Sequence, residues 1–109
     1  MILKIYGVHD NVEGDYVFFF QSLNEGTMKR VVKSSMLSKE PNVMTTNLKD
    51  KAIYELGEVE TKTGVITPCT PVYIVSLAEV RLDLIKEVKI AKQEAGVENP
   101  DASEVVSDE

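Results

Sequence analysis

The first part of the chain alternates between apolar and polar positions in the manner of β-strands. Residues 2–9 are rich in β-branched and aromatic side chains, and Leu3 and Ile5 fall on one side of an extended chain. Residues 16–20 form a second apolar run with no polar face, which indicates a covered strand. The polar residues 10–15 between them predict a hairpin.

Helical spacing replaces this alternation after residue 22. Ser22 and Glu25 fit a capping box, and the helix that they predict runs to about Ser38. Its apolar face comprises Met28, Val31, Val32 and Met36, while Lys29, Arg30 and Lys33 lie on the opposite face. Pro41 prevents continuation, so residues 39–47 are expected to form a loop.

The middle of the chain predicts three further strands. Residues 52–60 begin as a strand in which Gly57 indicates a bulge or a close backbone approach. Residues 61–64 form a hairpin turn ending in glycine, and residues 65–67 return from it. Pro68 and Pro71 are expected to interrupt the ladder before a fifth strand at residues 72–75.

A second capping box, Ser76 to Glu79, predicts a helix from about Leu77 to Ala95. A strand running on through Val80 and Leu82 is the competing interpretation. Residues 97–109 are acidic and lack a periodic apolar face, which predicts disorder. The expected fold is therefore one α+β domain over residues 1–96. It has an antiparallel sheet of about five strands, a helix between strands 2 and 3, a C-terminal helix and a disordered acidic tail.

Charge is distributed unevenly. The net charge of −6 lies entirely in the last sixteen residues, because residues 1–93 contain as many acids as bases. Within the neutral part, residues 26–54 carry six bases against two acids. A basic middle is thus flanked by acidic ends. An acidic tail of this kind can act as a solubility device, lie across a basic groove of its own protein, or recruit a basic partner.

The sequence offers no constellation for catalysis, metal binding or cofactor binding, so we expect a protein that is not an enzyme. His9 is the only histidine and Cys69 the only cysteine, and both are interpreted as structural. Neither a GxxxxGK[ST] nor a GxGxxG loop is present. No apolar run is long enough to span a bilayer, so no membrane association is expected.

Two sets of residues could bind nucleic acid. Tyr16, Phe19 and Tyr54 could stack on single-stranded bases, although aromatic residues in strands more often pack in a core. Alternation places Phe19 on the side opposite to its two phenylalanine neighbours, where it would be less covered. Phosphate contacts could come from Lys29, Arg30, Lys33, Lys49 and Lys51, for which a solvated surface is the alternative.

Three stretches together resemble a known family. These are the opening MILKIYGVHDNVEGDYVFFF, the segment Tyr54-Glu55-Leu56-Gly57-Glu58 followed by Thr63-Gly64, and Pro71-Val72-Tyr73-Ile74-Val75-Ser76-Leu77. They are similar to the small nonstructural protein of gokushovirus-type microviruses (Microviridae), which are single-stranded DNA phages. The chain departs from that family at Val17, where a proline is usual, and in the long helix and tail after Ser76.

The resemblance implies a nonstructural phage protein in the cytoplasm of the bacterial host that binds DNA or assists genome replication or packaging. The leading hypothesis is therefore binding of single-stranded DNA. The alternative is a protein-interaction module that binds a viral replication or capsid component through its terminal helix or acidic tail. A homodimer is also expected, because pairing with a second copy would cover an exposed edge strand of the sheet. A fold that gathers the five bases beside an exposed aromatic residue favours DNA, and a fold that scatters them favours the alternative.

Overall fold

The computed structural model describes residues 1–95. In this part of the chain it contains four strands, β1 (Ile2–Asp10), β2 (Asp15–Ser22), β3 (Lys51–Glu60) and β4 (Ile66–Ser76), and two helices, α1 (Glu25–Met36) and α2 (Leu77–Ala95). A single 3₁₀ turn, Leu48–Asp50, precedes β3. The predicted α+β class, the helix between strands 2 and 3 and the C-terminal helix are confirmed. The predicted acidic tail, residues 97–109, lies outside the described residues.

The four strands form one antiparallel sheet in the order β2-β1-β3-β4. Two tight hairpins join its outer pairs, and each contains a glycine with positive φ, Gly14 at 78° and Gly64 at 75°. The central strands β1 and β3 come from distant parts of the chain and pair along almost their whole length. The sheet therefore places residues 2–10 beside residues 51–60.

β4 is one continuous strand, where the sequence predicted two short ones. Pro68 and Pro71 both lie within it. Because β4 is an edge strand, only one of its sides has a ladder partner, and proline is tolerated there without loss of sheet pairing. The ladder with β3 shifts register twice, at Ile53/Tyr54 and at Glu55/Gly57, and the second shift confirms the bulge predicted at Gly57.

Both helices pack on the same face of the sheet, which is called here the helix-covered face. Tyr6, Val8 and Ile53 project from the central strands and are fully buried. They meet one apolar stripe from each helix. These stripes are Met28, Val32 and Met36 of α1, and Leu77, Val80 and Leu84 of α2. The core thus lies between one face of the sheet and the two helices, and Leu84 is the last residue of α2 that belongs to it.

The two helix starts differ in how far they follow the predicted capping boxes. At α2 the box forms in both directions, since the Glu79 backbone N–H donates to Ser76 Oγ over 3.1 Å and the Ser76 N–H donates to the Glu79 carboxylate over 3.2 Å. The competing strand interpretation there is wrong. At α1 the cap is Asn24, whose side chain accepts from the Thr27 N–H over 2.9 Å, and the predicted cap Ser22 lies at the end of β2.

Candidate binding surface

The face of the sheet opposite the helices is called here the open face, because in residues 1–95 no other element covers it. Alternation along β1 sends Tyr6 and Val8 to the core and therefore Ile5, Gly7 and His9 to the other side. Cross-strand pairing extends this face over all four strands. Its members include Leu3, Ile5, Gly7, His9, Tyr16, Phe19, Gln21, Tyr54, Leu56, Val59, Ile66 and Tyr73.

Four aromatic rings form a row across this face, called here the aromatic row: Phe19, Tyr16, Tyr54 and Tyr73. Their successive ring centroids are 5.9, 6.0 and 5.7 Å apart. The two tyrosine pairs are edge-to-face, a favourable geometry for aromatic pairs. The ends of the row are the most accessible, with Phe19 60% and Tyr73 52% exposed. The row thus runs from one edge strand of the sheet to the other.

Gly7 makes room for the middle of the row. A Cβ atom at this position would lie 2.7 Å from Leu56 Cδ1 and 2.8 Å from Tyr16 Cδ1. Both side chains therefore lie directly over the β1 backbone, as aromatic side chains do when they cover a strand glycine. The position of Tyr16 therefore depends on the missing side chain of Gly7, although the residue paired directly with Gly7 in β2 is Phe19.

Hydrogen bonds tie the far end of the row to α2. The Tyr73 hydroxyl donates to Glu79 Oε1 over 3.1 Å, on the carboxylate that also caps the helix. Burial, and then the bond to Glu79, raise the pKa of Tyr73. The backbone N–H of Ser76, followed by the Tyr73 hydroxyl, lowers the pKa of Glu79. The helix cap and the aromatic row therefore share one carboxylate.

The three aromatic residues predicted to stack on bases, Tyr16, Phe19 and Tyr54, are brought together on this face. Sequence reasoning did not include His9 or Tyr73. The His9 ring lies 4.9 Å from Tyr16 and 6.0 Å from Tyr54, and its Nδ1 is 2.9 Å from Asn11 Oδ1. Simple alternation would have placed Tyr73 on the same side as buried Val75, and only the register shift in β4 moves it to the open face.

The basic residues predicted on α1 lie on the other side of the sheet. Lys29 pairs with Glu25 over 3.0 Å, and Lys33 pairs with Glu87 of α2. The exposed Arg30 donates to Thr27 Oγ1 over 3.3 Å. Because α1 lies on the helix-covered face, the sheet separates Arg30 and Lys33 from the aromatic row. Lys29 lies nearer to it, since it lines one cavity together with Tyr73 at the far end of the row.

Lys49 and Lys51 are also separate from the row. Lys49 is exposed on the 3₁₀ turn. Lys51 is buried, and its ammonium donates to the carbonyl oxygens of Val43 over 3.1 Å and Thr46 over 2.8 Å. Its charge therefore stabilises the loop before β3. The fold scatters the five predicted phosphate contacts, and none of the open-face positions in the described strands carries Lys or Arg.

The chemistry available on the open face is apolar and aromatic. Exposed rings can stack on the flat faces of other rings, and the surrounding aliphatic side chains can be buried against a ligand. Within residues 1–95, no three His, Cys, Asp or Glu side chains are grouped so as to hold a metal ion. None of the helices in that range is long and apolar enough to cross a membrane.

These features define a two-layer α+β protein with two helices on one face of a four-stranded sheet and aromatic residues on the other. The sequence model of the Phage ORF5 protein family matches residues 3–80. The chain therefore belongs to the Phage ORF5 protein family, and the matched part extends from β1 into the first turn of α2. No match was found among curated proteins or among solved structures.

Proposed function

We propose that this phage protein is non-enzymatic and nonstructural, belongs to the gokushovirus-type microviruses, and binds single-stranded DNA in the host cytoplasm during genome replication or packaging. The observation that carries the proposal is the aromatic row, which crosses all four strands of an open sheet face. Every base has a π-face, so a row of rings suits a single strand irrespective of its sequence.

Stacking supplies most of the affinity in this proposal. Each base stacked on an aromatic side chain contributes about 1–3 kcal/mol as measured by alanine substitution. Phe19 and Tyr73 are the exposed rings on which bases would stack. The half-buried Tyr16 and Tyr54 lie between them, and their rings contact Phe19 and Tyr73, respectively. Because the open face carries no Lys or Arg in the described strands, few counterions are released on binding. For Z neutralised phosphates the slope of log K against log salt is about −0.7Z, so we expect a slope of about −1 or shallower.

Phe18 and Phe19 provide a matched pair of variants to test this site. They are neighbours on the same edge strand, 44% and 60% exposed, and Phe19 is on the open face while Phe18 contacts Phe20 on the other side. Anisotropy of a labelled single-stranded oligonucleotide is measured at two salt concentrations. Phe19→Leu should weaken binding about 5-fold or more, and Phe18→Leu should leave it near that of the unmodified protein.

A triple variant tests whether DNA binds instead to the basic residues of α1. Replacing Lys29, Arg30 and Lys33 together with Ala should leave affinity and salt slope nearly unchanged if the open face binds DNA, since only Lys29 lies near the row and it already pairs with Glu25. If this variant loses binding and its salt dependence flattens, while Phe19→Leu binds normally, the DNA site lies on α1 and the proposed site is wrong. No binding by the unmodified protein at low salt would reject DNA as the ligand.

A second candidate function is protein interaction. The scattering of the basic residues and the uncharged character of the open face favour it, since proteins bury extended apolar surfaces of this kind against one another. The partner would be a viral replication or capsid protein, or a second copy of this chain. Purified phage proteins and sedimentation velocity test these options. Partner binding that Phe19→Leu weakens, without any DNA binding, would establish this function.

A further inference from the structure

Residues 81–92 of α2 and the end of α1 border a groove of about 340 Å³ at the edge of the protein core, where Met36 and Leu84 line it. Leu37, Ile85 and Val88 line its floor and are 64%, 39% and 38% exposed. Its lining also includes three basic residues, Arg81, Lys89 and Lys92. The groove therefore combines an apolar floor with a positively charged rim.

The charge of this rim is not balanced by the described part of the chain. Among residues 1–93, whose side chains the structure describes, Arg81, Lys89 and Lys92 form no salt bridge, whereas Lys29 and Lys33 of α1 both do. Three of the acids in the α2 sequence, Glu79, Asp83 and Glu87, recur every four residues and thus form a separate stripe. Only basic side chains line the charged part of the groove. A ligand with carboxylates around a small apolar centre would complement it.

The chain contains one segment of this chemistry. Residues 96–109 hold five acids and no base. The apolar pair Val105-Val106 lies between Glu104 and Asp108 in that segment. We propose that the groove binds this segment of its own chain, with Val105 and Val106 on the apolar floor and the flanking carboxylates beside the basic rim.

The connection is long enough for this contact within one molecule. Val88 precedes the end of α2 at Ala95 by about two helical turns, which is about 10 Å along the axis. The ten residues from Ala95 to Val105 can extend about 33 Å. Gly96 and Pro100 are residue types that favour a reversal of the chain. The segment can therefore turn back along α2 without disturbing the helix.

This site is independent of the proposed DNA site. The groove is built from the two helices, which cover one face of the sheet, while the aromatic row lies on the other. Occupation of the groove should therefore leave DNA affinity at the open face nearly unchanged, apart from the general repulsion of acidic charge. The acidic segment would instead shield the exposed apolar side chains of α2.

Paramagnetic relaxation enhancement in the full chain tests the proposal. A nitroxide is attached at Ser103→Cys in a Cys69→Ser background, since Cys69 is exposed and would otherwise be labelled as well. Amide signals of Ile85, Val88 and Lys89 should lose intensity strongly. Those of Phe19 and Gln21, on the far edge strand, should keep theirs.

Two double variants examine the two parts of the contact. Val105→Ser with Val106→Ser removes the apolar pair, and Arg81→Glu with Lys89→Glu reverses the rim charge. Each should abolish the selective loss at the groove while the amide spectrum of the sheet stays unchanged, which also verifies folding. If the nitroxide-labelled chain without these double substitutions shows no selective loss of the groove amide signals, the proposal is overturned. A mixture of nitroxide-labelled chains and isotope-labelled chains without nitroxide reports contacts between molecules. If the signal loss at the groove arises only between molecules, the proposal is overturned in favour of binding between copies.

Discussion

Replacement of Gly57 by alanine is expected to destabilise the protein more than replacement of any turn glycine. Gly57 has φ of +153°, which side-chain-bearing residues rarely adopt. A Cβ atom there would lie 2.4 Å from the Thr67 carbonyl oxygen and 2.9 Å from Pro68 Cα. Both are backbone atoms of β4, so rotation of a side chain cannot relieve the overlap. The two strands must move apart at this point.

The size of the effect follows from two contributions. The unfavourable backbone conformation costs about 1–3 kcal/mol. Separation of β3 from β4 weakens one or two ladder hydrogen bonds, each contributing about 1 kcal/mol. The expected loss for Gly57→Ala is therefore about 3–5 kcal/mol. Gly64 is the matched control, since it also has positive φ but nothing lies within 4 Å of its Cβ position. Gly64→Ala should cost only about 1 kcal/mol.

Urea unfolding followed by far-UV circular dichroism measures both variants. With an m-value of about 1–3 kcal/mol per molar urea, the Gly57→Ala midpoint should fall by at least about 1 M. The Gly64→Ala midpoint should fall by a small part of that. Equal losses for the two variants would refute the reasoning, because conformation alone would then account for both and the close approach of β4 to Gly57 would have no energetic effect.

Three other predictions concern single polar side chains. The buried Tyr6 hydroxyl has no hydrogen-bond partner in the described residues, so Tyr6→Phe should be neutral or stabilise by up to about 1 kcal/mol in thermal unfolding; a clear loss would disprove this. Lys51→Met leaves two loop carbonyls without their buried donor and should cost about 2–4 kcal/mol in urea unfolding; a cost near zero would contradict it. The Glu79 carboxylate, with its lowered pKa, stabilises the fold above its usual pKa of about 4.5, and this contribution disappears as pH falls through the lowered value. The stability difference between the unmodified protein and Glu79→Gln should therefore shrink on acidification, and a constant difference would exclude the effect.

Local sequence signals predicted the elements of this fold because each depends on neighbours in the chain. Alternation identified the first strands, and the Ser76–Glu79 capping box marked the start of α2. Gly57 was predicted to allow a bulge or close approach, and both are present. The error at β4 arose because a proline signal has different consequences in central and edge strands. The order of strands in the sheet, which the local pattern does not contain, decides between them.

The candidate site depended on longer-range information in the same way. The sequence identified Tyr16, Phe19 and Tyr54 as candidates for stacking, since residue type and alternation along β2 are local properties. It did not determine that β2 and β3 would align them, because that requires the pairing register of residues far apart in the chain. Nor did it determine that Lys51 would be buried or that Lys29 and Lys33 would pair with acids.

The sequence by itself thus determined the strands and helices apart from the continuity of β4, where the tight turns lie and how the charge is divided along the chain. Tertiary structure alone decided which face of the sheet the helices cover, and that choice leaves the aromatic row open and places the basic helix on the opposite side. It also moved Tyr73 into the row through the register shift in β4. The physical reason is that backbone propensity and turn chemistry act over a few residues, whereas burial and register are settled by packing between segments up to about sixty residues apart.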